Sequence, residues 1–181
     1  MVRRLLECAL CALWVCLPAL AGATVLLPIE FRELVAVSTV IVHGRVTDAH
    51  AEWTDGRRSV ETLVTIGASD YLKGNLGGSF TIHVPGGQLG RYRTVFIGAP
   101  EFRAGDEVVL FLRDGRIVGL SQGAFRVVAD ATGRPTVVSP VVMSASLDTT
   151  EAVVRGDPRR KAVALDAFRD LVRQVVAGGG K

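Results

Sequence analysis

The chain has 181 residues, with 21 Lys and Arg against 18 Asp and Glu, a net charge of +3 with histidine neutral. The basic residues are scattered rather than clustered, and this near balance argues against nucleic acid as the partner. All of its cysteines, Cys8, Cys11 and Cys16, lie close to the N-terminus.

Residues 1–23 read as a signal peptide. Arg3-Arg4 supply a basic start, Leu5 to Leu20 an apolar run, and Ala21-Gly22-Ala23 a small-residue cleavage site after Ala23. The run is shorter than the roughly 20 apolar residues a spanning helix needs. An uncleaved anchor, a twin-arginine route and a lipid-modified Cys16 are the alternatives. Cleavage leaves Thr24 at the front and removes every thiol. The spacing Cys8-x-x-Cys11 then carries no metal or redox message, and no disulfide or cysteine nucleophile is available. An exported domain of this kind, periplasmic or secreted, must be held by its core. What remains is long enough for one domain, which would bury about 70% of its unfolded surface. No later stretch is apolar enough to span a membrane.

The elements follow in chain order. Pro28 to Ala36 predicts a short helix, with Pro28 at the first position, acidic residues in the first turn, and Phe31, Leu34 and Val35 on one face. Ser38 ends it. From Thr39 the apolar period becomes two, giving a strand that runs to Trp53. Thr54-Asp55-Gly56-Arg57 is a hairpin turn. Ser59 to Tyr71 is the return strand, with Val60, Thr62, Val64 and Ile66 on one face. Further strands are expected at Ser79–Val84, Tyr92–Ile97, Glu107–Arg113, Arg116–Leu120 and Ala124–Val128, with an edge piece at Thr136–Ser139. Glu107–Arg113 is nearly all apolar and is expected to be covered on both faces. Residues 141–157 read as loop. Asp157-Pro158 has the cap and first-position residues of a helix over 158–177. Its stripe is Leu165, Phe168, Leu171, Val172, Val175 and Val176, with Arg169 and Arg173 facing outward. Residues 178–181 are a disordered tail. Short antiparallel strands joined by glycine turns imply a mainly β fold, a small OB-like Greek-key barrel over residues 24–140 with the C-terminal amphipathic helix packed on it.

Four constellations suggest chemistry. Gly86-Gly87-Gln88-Leu89-Gly90 resembles a phosphate cradle, but cradles open a helix, and Arg91 to Ile97 has strand chemistry. A chain turning a sheet corner explains these glycines better. Gly119-Leu120-Ser121-Gln122-Gly123 fits the serine-hydrolase pattern, which needs a strand–turn–helix elbow and a histidine in reach. Here a strand follows, and His43, His50 and His83 all precede Ser121. His43 and His50 lie an odd number of residues apart, so a regular strand points them to opposite faces. His50 and Glu52 share a face but lack a third ligand, so no metal site is expected. Asp106 and Glu107 are adjacent and face opposite ways, which prevents an acid–base pair. Trp53, beside the Asp-Gly tip, is either a lid over a barrel end or an exposed contact residue.

Ser38 to Val46, Tyr71-Leu72-Lys73-Gly74, Gly105 to Leu112 and Gln122-Gly123 together resemble the netrin-like OB-fold domain of the tissue inhibitors of metalloproteinases. The likeness spans residues 38 to 128 and is one of strands and turns. The chain is also similar to uncharacterised exported bacterial proteins that share Pro100-x-Phe102-x-x-Gly105-x-Glu107. The inhibitor resemblance implies a barrel. The inhibitors' N-terminal cysteine, which meets the protease zinc, has no counterpart here once the leader is gone, so that mechanism does not carry over. The function expected is a non-enzymatic binding module for a protein or extended polymer, using Trp53, Gln88, Arg91, Tyr92 and Gln122, with no catalytic residue, cofactor or metal. The alternatives are a serine hydrolase using Ser121 and a cysteine-independent inhibitor of a secreted metalloprotease.

Overall fold

The computed structural model describes residues 29–54, 56–140 and 162–178. The leader with its cleavage site at Ala23, Pro28, the 141–157 loop, the Asp157-Pro158 helix start and residues 179–181 lie outside the described residues.

Helix α1 (Phe31–Val37) covers most of the expected span but starts later, at Phe31, with Glu30 extended at its cap. Leu34 and Val35 are buried and Phe31 is half-buried against the same core. Ser38 stops it by bonding back: its N–H and its hydroxyl both donate to Leu34 O, at 3.3 and 2.6 Å. Lys73 Nζ donates to Val35 O at 2.9 Å and Ala36 O at 3.3 Å. A cation there satisfies orphan carbonyls and opposes the negative helix end.

The protein is mainly β. Its strands are β1 (Val40–Thr54), β2 (Ser59–Lys73), β3 (Ser79–Pro85), β4 (Gly87–Leu89), β5 (Tyr92–Thr94), β6 (Glu107–Arg113), β7 (Arg116–Ile117), β8 (Ala124–Ala129), β9 (Pro135–Val138) and β10 (Val163–Ala164), followed by helix α2 (Leu165–Gly178). One antiparallel sheet has the order β10-β9-β8-β6-β1-β2-β3, with β7 paired to β6, and β4-β5 form a separate ribbon. The run β6-β1-β2-β3 is a Greek key: three hairpin-linked strands and a fourth returning beside the first. Register shifts at Ile41/Val42, His43/Gly44 and Val46/Asp48 bend β1, as bulges do. The bend lets the first part of β1 pair with β6 while its whole length pairs with β2.

Strand β6 divides the core. Val108, Leu110 and Leu112 point into the hollow of the sheet, with Val42, Val64, Ile66 and Ile82. Val109 and Phe111 point to the other face, under α1 and α2, with Phe125, Phe168 and Val172. Phe31, Phe111, Phe125 and Phe168 stack with ring centroids 5.2 to 6.4 Å apart. The unbroken apolar run of β6 thus reflects burial on both faces.

The structure differs from the sequence expectations at five further places. The sheet is an open ladder with no hydrogen-bonded closure between its end strands, so it is not a closed barrel. The expected strand Tyr92–Ile97 stops at Thr94, and its partner β4 lies inside the glycine run. The expected strand Arg116–Leu120 ends at Ile117 and passes into a 3₁₀ turn over Leu120–Gly123. The last helix begins only at Leu165, because Val163–Ala164 pair with β9; Gly178 belongs to it rather than to the tail. Leu171 is exposed, and Arg169 turns inward over the sheet. The rest of the expected stripe packs: Leu165, Phe168 and Val172 are buried, and Val175 and Val176 lie partly buried against the same core.

Candidate functional site

The β4-β5 ribbon lies across the far end of the β1-β2 hairpin. Gly90 and Arg91 make its two-residue turn, with Gly90 at φ 60°, the position where such turns favour glycine. Two bonds fasten it: Thr62 Oγ1 donates to Gly86 O at 2.8 Å, and Val60 N–H donates to Thr94 Oγ1 at 3.2 Å. The glycines allow this approach. A Cβ on Gly87 would stand 2.7 Å from Thr62 Oγ1. The glycine run is therefore a sheet corner, with strands on both sides.

Adjacent strand residues face opposite ways, so the ribbon presents two surfaces. On one, Tyr92 packs edge-on against Trp53 with centroids 5.1 Å apart. Arg91 donates to Tyr92 Oη at 2.8 Å and its guanidinium lies 5.0 Å from the same ring centroid. Trp53 is half-buried, part lid and part surface. On the other, Gln88 and its cross-strand partner Arg93 line a cleft of 380 Å³. Its remaining walls come from Val84 and Pro85 at the end of β3, from Val95 and Phe96, and from the 99–103 segment before β6. Beyond the ribbon the chain leaves the sheet and carries its apolar side chains into solvent: Val95 is 68% exposed, Phe96 49% and Ile97 71%. Sequence alternation foresaw a strand here and so missed this ridge. The signal that could have found it is Gly98 with Pro100 two residues on, which deny the segment a long strand.

Four of the five expected binding residues, Trp53, Gln88, Arg91 and Tyr92, gather on this ribbon and the hairpin end beneath it. Gln88 faces the cleft and the other three the opposite surface of the ribbon, and Gln122 joins neither. It is buried in the 3₁₀ turn and its Oε1 accepts from Ile29 N–H at 2.7 Å, tying the turn to the start of α1.

The other constellations resolve into structural pairs. Ser121 sits in the 3₁₀ turn, its N–H donating to Gly98 O at 2.9 Å, and strand β8 follows at once. Among the described residues no histidine bonds to it. His50 Nδ1 lies 2.6 Å from Asp48, and His83 lies 3.4 Å from Glu61. His43 is 5% exposed. Its Nε2 lies 2.8 Å from Glu107 Oε1 and its Nδ1 2.8 Å from Arg169 Nη2. A guanidinium only donates. Nδ1 therefore accepts, and the ring proton sits on Nε2, given to Glu107. Arg45 also donates to Glu107, at 3.1 Å, and Asp70 receives Arg173 at 3.1 Å. Asp106 turns away to Arg126, 2.9 Å distant, so the two adjacent carboxylates serve different partners. No group of three metal-ligating side chains occurs among the described residues, and no helix there is long and apolar enough to cross a membrane. Asp130 is held well below the usual carboxylate range, at about 2, by the Thr132 hydroxyl and then by the Arg134 and Thr132 backbone N–H groups.

No protein-family model, curated protein or solved structure matches the chain.

Proposed function

We propose that the protein is an exported, non-enzymatic binding module whose partner is another protein or an extended polymer. The observation that carries this is the exposed run Val95-Phe96-Ile97 beside the cleft and the Trp53–Tyr92 pair. Monomers rarely leave contiguous apolar side chains in water unless something covers them, and aromatic and arginine side chains are the usual anchors of an interface. The OB-like reading of the fold is supported by the Greek-key order and by the approach of β7 to β3 across the open side of the sheet. Export is supported by the leader-like first 23 residues.

The test is a pull-down in which the immobilised protein is offered the secreted and envelope fraction of its source cells. Wild type is compared with a Phe96→Ser, Ile97→Ser variant and with a Trp53→Ala, Arg91→Ala variant. A partner retained by wild type and lost from the first variant supports the reading. A partner retained equally by all three places the contact elsewhere.

A further inference from the structure

The cleft and ridge carry a charge pattern as well as an apolar one. Arg93 stands on one wall of the cleft and Arg103 on another, both exposed. Neither guanidinium has a hydrogen-bond or ion-pair partner among the described residues, unlike Arg45, Arg126, Arg134, Arg169 and Arg173, each of which meets a carboxylate. Arg91, bonded to Tyr92 on the ribbon's other surface, does not line the cleft. Against Arg93 and Arg103 the cleft has one acid, Glu101. Val84, Phe96 and Phe102 give the cleft apolar walls between the charged ones. At 380 Å³ the cleft is near the lower end of ligand sites, about 300–1,000 Å³. That is room for one or two side chains, with a chain lying across the mouth.

We infer that the occupant is an extended acidic segment of another protein, which inserts an aromatic or aliphatic side chain between β3 and the ridge and sets carboxylates against Arg93 and Arg103. The inference rests on the binding-module reading and names the class of partner. A second copy of the chain fits poorly, since a face-to-face pair would bring Arg93 and Arg103 against their own images, and like charges across an interface are repulsive. A neutral apolar partner would leave the two unpaired cations partly desolvated with nothing gained. A guanidinium meets a carboxylate with a matched pair of donors, so the acidic class uses every feature of the cleft.

The experiment measures fluorescence anisotropy of three labelled, end-blocked ten-residue peptides against the whole protein. Each has Phe-Val at its centre, flanked by Glu, Gln or Lys. The Glu peptide is expected to bind roughly tenfold or more tightly than the Gln peptide, and the Lys peptide weakest. Arg93→Glu with Arg103→Glu should invert that order. Both side chains are exposed and unpaired, so folding is not at stake. A second measurement needs no variant: wild-type affinity for the Glu peptide should fall steadily with added salt, as screening of exposed charges requires. Equal binding of the Glu and Gln peptides, an order untouched by the charge reversal, or binding of none of the three overturns the acidic class. Failure of the parent reading looks different: the pull-down then yields no partner that depends on Phe96 and Ile97, whatever the peptides do.

Discussion

Asp130 shows how much one side chain does at a turn. Its Oδ1 accepts from Thr132 N–H at 2.8 Å, from the Thr132 hydroxyl at 2.6 Å and from Arg134 N–H at 3.0 Å, closing the β8-β9 hairpin. Those donors favour the carboxylate and depress its pKa from 3.8 to about 2. A depressed folded pKa contributes stability that is present above the unfolded value and is lost as pH falls through the folded one. Wild-type stability should therefore decline between pH 4 and 2 by an increment that Asp130→Asn lacks, measurable in urea melts across that range. His43 is the second case. It fills the space between Glu107 and Arg169 with both ring nitrogens bonded. His43→Ala should cost about 2 kcal/mol, because two charged groups lose their partner. Combined with Arg169→Met in a double-mutant cycle, it should show a coupling near 1 kcal/mol. Additive effects would mean that the bond to Arg169 contributes nothing. The sequence could not place Arg169, 126 positions away in the chain, upon His43.

Among the elements, α2 is a compromise between pattern and position. Its sequence offers a broad apolar stripe, but Val172 is fully buried while Leu171 is 44% exposed. The face that counts is set by β10, which pairs Val163 with Val137 and so fixes where the helix starts and how it is turned. Val172→Ala should cost about 2 kcal/mol through lost burial. Leu171→Ala should stay within about 0.5 kcal/mol, the range of ordinary surface changes. Chemical denaturation of the two variants separates them, and equal losses would show that the helix packs through its whole stripe. The β4-β5 ribbon is the complementary case. Its glycines announced a corner, and its strand chemistry was legible, but three residues of pairing do not show in an alternation pattern. Only the bonds from Thr62 and Val60 reveal that the corner is folded down on the β1-β2 hairpin.

For the whole molecule, the defining feature is a pair of apolar layers that share strands β1, β2 and β8 and, most fully, β6. The hollow of the sheet and the helix-covered face cannot loosen independently while those strands hold, so unfolding should be one cooperative transition. Phe111 lies at the centre, fully buried and touching Phe31, Phe125 and Phe168. Phe111→Ala should cost about 3–5 kcal/mol. At about 2–4 °C per kcal/mol for a domain of this size, the melting temperature should fall by roughly 6–20 °C. Calorimetry would show one lowered peak. Two peaks, only one of them moved, would mean that the layers are separate units.

The amino-acid sequence by itself determined the local terms. Period-two apolar patterning specified β1, β2 and β3, and an unbroken apolar run specified β6, since a strand with one buried face must alternate and one buried on both faces need not. The serine after α1 and the glycine turns set element ends, because cap bonds and positive φ are properties of single residues. Tertiary structure decided what depends on distant partners. It left the sheet open, because closure requires register between end strands that no local pattern encodes. It buried Gln122 and turned Arg169 inward, because each met a bonding partner far along the chain. It exposed Val95, Phe96 and Ile97, because the segment that carries them leaves the sheet where none of the described elements covers it. The proposed binding surface is therefore a product of topology, written in residues whose chemistry alone called for a strand.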